Sequence, residues 1–149
     1  MHDVRLAVRS DLKALLTLFD ASEVSQFAQP LEEAARIWDE TLASENVFIF
    51  VASIGEAIAA TCMLITAPNL LRLGRSHAFL ENVMTHPTYQ GQGFGKAVVS
   101  KALKHAWSSG CHHVLMQSGR ADPRVHAFYQ QLGFQGGLRV GYVAMQQPE

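Results

Sequence analysis

The stretch "YQGQGFGKAVV", residues 89–99, sets Gly91, Gly93 and Gly95 within five positions, directly ahead of a helical apolar pattern. Glycine is costly inside regular structure, so a cluster of three marks a place where bare backbone is needed. A dinucleotide-binding loop requires G-x-G-x-x-G and an acidic residue about 20 positions on. Here the spacing is G-x-G-x-G, and the region around Cys111 to Leu115 holds no acid. An ATP-type phosphate loop requires G-x-x-x-x-G-K-[ST]. Gly91 and Gly95 are too close for that, and Ala97 stands where a metal-holding hydroxyl belongs. A plain turn ordinarily uses one glycine. What remains is an anion cradle: helix-start N–H groups with no internal partner, the positive end of the helix dipole, and glycines that let a diphosphate approach. The N–H groups of Gln92 to Lys96 are its donors, and no metal is required.

The rest of the chain supplies a frame for that junction. "VRLAVR" (4–9) alternates as a strand, and a helix capped at Ser10 or Asp11 follows, with Leu12, Leu15, Leu16 and Phe19 at helical spacing. Pro30 opens a second helix whose expected buried stripe is Leu31, Ala34, Ala35, Trp38 and Leu42. Residues 46–53 and 57–66 form a hairpin across Gly55-Glu56, residues 67–76 a loop, and 77–86 a further strand ended by Pro87. Phe94, Val98, Ala102, Leu103 and Ala106 line the helix after the glycines. Residues 112–118 read as a strand, Asp122-Pro123 as the cap and first position of a last helix, and Phe134 and residues 138–146 as two final strands. The order is βααβββαβαββ. It predicts one α/β (α+β) domain over 1–149, a mixed sheet of about seven strands flanked by about four helices on both faces, with parallel pairing in the second half.

Composition narrows the function classes. With 149 residues, 48% of them hydrophobic, and a formal net charge of -1, the chain suits one globular domain and offers no general attraction to nucleic acid or anionic membrane. No stretch approaches a membrane span and no secretory pattern opens the chain, so a cytoplasmic protein is expected. Two cysteines make no disulfide framework, and Cys111 reads as a small buried residue. Seven histidines are present without zinc-ligand spacing, so no metal is expected.

The glycine run also matches a signature. Gln90-Gly91-Gln92-Gly93-Phe94-Gly95 fits [QR]-x-x-G-x-[GA] between a strand and a helix, and "FYQQLGF" (128–134) fits a helix carrying F-Y-x-x-x-G-F. On these two motifs, at their usual separation, the sequence resembles the GNAT superfamily of N-acetyltransferases across nearly the whole chain. The resemblance implies acetyl-CoA as donor, with its pyrophosphate at Gln90 to Lys96 and its pantetheine arm beside backbone groups of Val83, Met84 and Thr85. In that family the strand commonly carries a bulge that splays it from its neighbour. Asp122 and Phe128 fall among the implied cofactor contacts, although Asp122 reads chiefly as an N-cap. Transfer to the amine is direct, so a general acid must protonate the departing thiolate, and Tyr129 sits at the family's position for it. Glu81 is the candidate base for the amine. "Glu81-Asn82" stands where the glucosamine-phosphate N-acetyltransferase branch has an acidic pair, and "GYVAM" near the end is also similar to that branch. Arg120 and Arg124, with Asn82, are candidates for acceptor recognition, since arginine grips carboxylate or phosphate with two prongs. The implied partner is a small-molecule amine, with a protein or peptide amine, or an acyl-CoA-binding module without catalysis, as alternatives. A homodimer is expected, with the apolar "VGYVAM" segment contributing an edge.

Overall fold

The computed structural model describes residues 2–22, 30–146 and 148. They divide into two compact units, one through Met116 and one from Gln117. The first unit is built on a five-stranded sheet in sequential order, β1(Asp3–Leu6), β2(Val47–Ile54), β3(Ala57–Ala67), β4(His77–Thr85) and β5(Val114–Met116). The first three pairings are antiparallel and β4–β5 is parallel, so the sheet is mixed. The parallel pair is joined through a helix, the connection such a pair needs. Among the described residues this unit carries the α-helices α1(Leu12–Ala21), α2(Leu31–Ala43) and α3(Phe94–Ser108).

Alternation along β2 and β3 sends side chains to two cores. Phe50, Leu64 and Leu80 are essentially solvent-free, as are Val98, Val99, Ala102 and Ala106 of α3. The Cys62 thiol donates to the Val98 carbonyl at 3.4 Å and so points to the α3 face. On the opposite face Val51 and Ile58 pack with Ala7, Leu15, Leu18 and Trp38, with Met84 against them. Each large side chain buried here contributes about 1.5–3 kcal/mol. Helices on both faces were the expectation, and both are present.

Three expectations need correction. The sheet has five strands, because Phe134 and residues 138–146 take no strand conformation. A strand exists only with a ladder partner, and none of the described residues supplies one. Leu138, Val140, Tyr142, Val143 and Met145 stand exposed, and glycines at 136, 137 and 141 weaken the run further. The stripe of α2 is narrower than expected: Ala34 and Trp38 are buried, whereas Leu31 and Leu42 are exposed. The cap at the start of α1 does not work as a cap, since Asp11 is the N-cap residue but its carboxylate turns away from the helix. It accepts from the Val8 N–H at 2.7 Å and from both prongs of Arg5 at 2.7 and 3.0 Å, tying β1 to the helix start.

The second unit holds α4(Pro123–Gln131). Asp122 caps it as expected, accepting from the Arg124 N–H at 2.9 Å. No helix among the described residues is long and apolar enough to cross a membrane.

Candidate active site

β4 changes character along its length. From His77 to Leu80 it is an interior strand, with Leu80 opposite Leu64 of β3 and opposite Met116 of β5. Beyond Leu80 the β5 ladder ends. On the β3 side the register jumps from Met63↔Glu81 to Thr61↔Met84, so β4 carries one extra residue, a β-bulge. Asn82 holds the bulge with φ 52, in the left-handed region that asparagine tolerates better than most residues. The consequence is a strand segment, 81–85, whose far edge has no ladder partner among the described residues. Its backbone N–H and C=O groups are available to an extended ligand. The bulge expected from the resemblance is present at these residues.

The glycine run follows at once. A short 3-10 turn over Pro87–Tyr89 is capped by His86, whose Nδ1 accepts from the Thr88 N–H at 3.2 Å. Gln92 fastens back by donating its Nε2 to the Thr88 carbonyl at 3.2 Å. Gly91 and Gly93 then take φ of 75 and 86, and Gly93 is the N-cap of α3. A Cβ at Gly91 would meet nothing within 4 Å, so the space above it is open. A Cβ at Gly93 would stand 3.1 Å from His2 Nε2. No acidic residue occupies the first turn of α3, so nothing opposes an anion at the dipole's positive end. Phe94 turns inward against His2 and Tyr89, so its side chain does not face the open space above the glycines. Lys96 is exposed in the same turn. These features fit a pyrophosphate. Among the described residues no group of three or more His, Cys, Asp or Glu could hold a metal ion.

Glu81 and Met84 lie on the face occupied by α1 and α2. Residues directly paired across a ladder point to the same side. Glu81 pairs with Met63, and Met63 lines an open-mouthed cleft with Leu12, Leu15 and Phe19 of α1, Trp38 of α2, and Ile49, Thr61 and Asn82. Glu81 is exposed. The cleft has no counterpart in the sequence reading. Its walls come from five elements, and the only local signal was the size of Phe19 and Trp38 on otherwise ordinary helical stripes.

The cysteines are not placed for chemistry. Burial pushes the Cys62 thiol up to about 12, and it also raises the Cys111 thiol. A thiol so rarely ionised is a poor nucleophile.

In the second unit, Tyr129 sits near the end of α4 between two aromatic rings. Phe128 and Phe134 meet it edge-on, with centroids 5.0 and 5.8 Å away. The chain reverses directly after it, with Phe134 N–H donating to the Tyr129 carbonyl at 3.1 Å. This accounts for the spacing of "FYQQLGF": the turn at Gly133 brings Phe134 back onto the tyrosine. Arg124 spends its fork on Asp122, at 3.0 and 3.3 Å, which holds that carboxyl below the usual carboxylate range. Arg124 is thus a partner of the cap. The Arg120 carbonyl lies 3.0 Å from His126 Nε2, which anchors its loop to α4.

Known proteins share this architecture. A solved structure from Agrobacterium tumefaciens, assigned as an acetyltransferase, superposes with a TM-score of 0.90 at 36% identity, covering 97% of this chain and 99% of its own. The glucosamine 6-phosphate N-acetyltransferase of Trypanosoma brucei brucei is 32% identical over 82 residues, 55% of this chain and 54% of the relative. Glucosamine 6-phosphate N-acetyltransferase 1 of Oryza sativa subsp. japonica is 31% identical over 108 residues, 69% of this chain and 63% of the relative. The matches thus span between half and two thirds of these curated relatives. The sequence profile of the acetyltransferase (GNAT) family matches residues 12–134, a span that holds the bulged strand, the glycine-capped helix and the aromatic turn of α4. The chain belongs to the GNAT family of acetyltransferases.

Proposed function

We propose that this protein is an N-acetyltransferase that uses acetyl-CoA to acetylate the primary amine of a small molecule. The observation that carries the reading is the continuity of the free edge at 81–85 with the glycine-capped start of α3. One extended ligand with a diphosphate at one end and amides along its arm suits that pair of features. Acetyl-CoA supplies the acetyl group as a thioester, which an amine nitrogen attacks with loss of the CoA thiol.

Each residue has a distinct part. The main chain from Gly91 to Lys96 and the Gln90 side of the loop hold the pyrophosphate. Val83, Met84 and Thr85 offer backbone groups to the arm and polarise the acyl carbonyl. The attacking amine must shed a proton, and Glu81, directly or through water, takes it. Tyr129 gives a proton to the departing sulfur. Asp122 and Arg124 support α4, with Phe128 packing the tyrosine in place. Neither cysteine is required, consistent with direct transfer. Two relatives are named for glucosamine 6-phosphate, which supports a small-molecule acceptor.

The test combines a thermal-shift titration with acetyl-CoA and a thiol-release assay over an amine panel. Stabilisation by acetyl-CoA together with amine-dependent thiol release is expected. Stabilisation without turnover on any amine would instead indicate a binding module. Absence of binding would reject both.

A further inference from the structure

We infer that the acceptor is an amine with a small apolar body, held in the cleft between α1, α2 and the sheet, rather than a sugar phosphate. The inference rests on the acetyltransferase reading above and concerns the acceptor side of the same site. The cleft measures about 60 Å3 and opens beside the bulge. Leu12, Phe19, Trp38, Ile49 and Met63 make its apolar lining. The Thr61 hydroxyl on its wall is already committed, donating to the Phe50 carbonyl at 2.9 Å. Asn82 is the remaining polar side chain, and no lining residue carries a positive charge.

That lining discriminates by desolvation. A phosphate or a polyhydroxylated ring entering it loses water and finds only the Asn82 amide and no charged donor in return, which costs several kcal/mol. A short branched or cyclic hydrocarbon loses nothing and gains burial. The arginines at the α1 end are engaged elsewhere, Arg5 with Asp11 and Arg9 with Asp39. Glu81, paired with Met63, lies on the same face as the cleft. A carboxylate beside an apolar hole suits a cation on an apolar stem: the hydrocarbon goes in and the ammonium stays with Glu81. Asn82 belongs both to the cleft lining and to the bulge, so an amine placed there lies beside the free edge of β4.

The experiment compares isoamylamine with glucosamine 6-phosphate as acceptors for the full chain at saturating acetyl-CoA. A kcat/KM at least tenfold higher for isoamylamine is expected. Met63→Lys should lower that value at least tenfold, mainly through KM, with CoA affinity unchanged. Met63→Gln is the second variant if the lysine prevents folding. Equal or better use of glucosamine 6-phosphate would overturn the inference while leaving the acetyltransferase reading intact. So would a kcat/KM that ignores both Met63 variants. If acetyl-CoA binds but neither amine reacts, the amine panel decides the acetyltransferase reading, and protein carrying 13C-methyl methionine decides the acceptor question. A saturable shift of the Met63 methyl with isoamylamine alone sustains the cleft assignment, and no shift overturns it.

Discussion

The two halves of β4 are nine consecutive residues with opposite assignments. Ala78 to Leu80 is laddered on both sides, and Ala78 and Leu80 are fully buried. Glu81 to Thr85 is bulged, laddered on one side, and carries an exposed carboxylate. The first half spends its backbone on the sheet. The second keeps part of its backbone free, at a cost in pairing, directly before the glycine run. The proposed function thus assigns stability to one half of the strand and ligand binding to the other, with the bulge as the boundary.

Adjacent residues across that boundary should respond in opposite ways. Leu80→Ala removes a solvent-free side chain from the α3 core and should cost about 3 kcal/mol of stability. Denaturant unfolding would read this, with CoA affinity of the folded fraction preserved. Glu81→Gln should leave the unfolding curve in place and lower kcat about 100-fold, or roughly 2.7 kcal/mol. If Glu81→Gln instead lowers stability and spares turnover, the division of β4 is wrong. Asn82 gives the smallest effect. Asn82→Gly should be close to neutral in stability, while Asn82→Val should cost about 1–2 kcal/mol, because a β-branched residue resists φ 52. Equal stability of the two would mean that the bulge is not held at this residue.

What could be read from the chain divides along similar lines. The glycine-capped start of α3 was legible because all its parts are local: three glycines, a helix start and a first turn without acids. "FYQQLGF" was legible for the same reason, since one turn closes Phe134 onto Tyr129. The bulge was expected from the family resemblance alone; its local sign, an asparagine inside a strand pattern with poor strand propensity and good tolerance of positive φ, did not announce it. The cleft was not legible, because residues from five elements line it and no spacing relates them. The final strands were over-read: the alternation at 138–146 is real, but alternation predicts a face, and a strand also needs a neighbour. Leu31 and Leu42 failed for a related reason. Helical spacing identifies an apolar side of α2, while the width of its contact with the sheet decides how much of that side is covered.

The central claim is that the free edge of β4 and the glycine cradle together bind one ligand. Amide hydrogen exchange measured with and without CoA tests it most directly. The account predicts that amides in 81–85 and 91–96 slow together when CoA is added, while those in 78–80, already laddered on both sides, do not change. Binding of CoA that leaves both segments exchanging as before, or that protects 78–80 as much as 81–85, would contradict it.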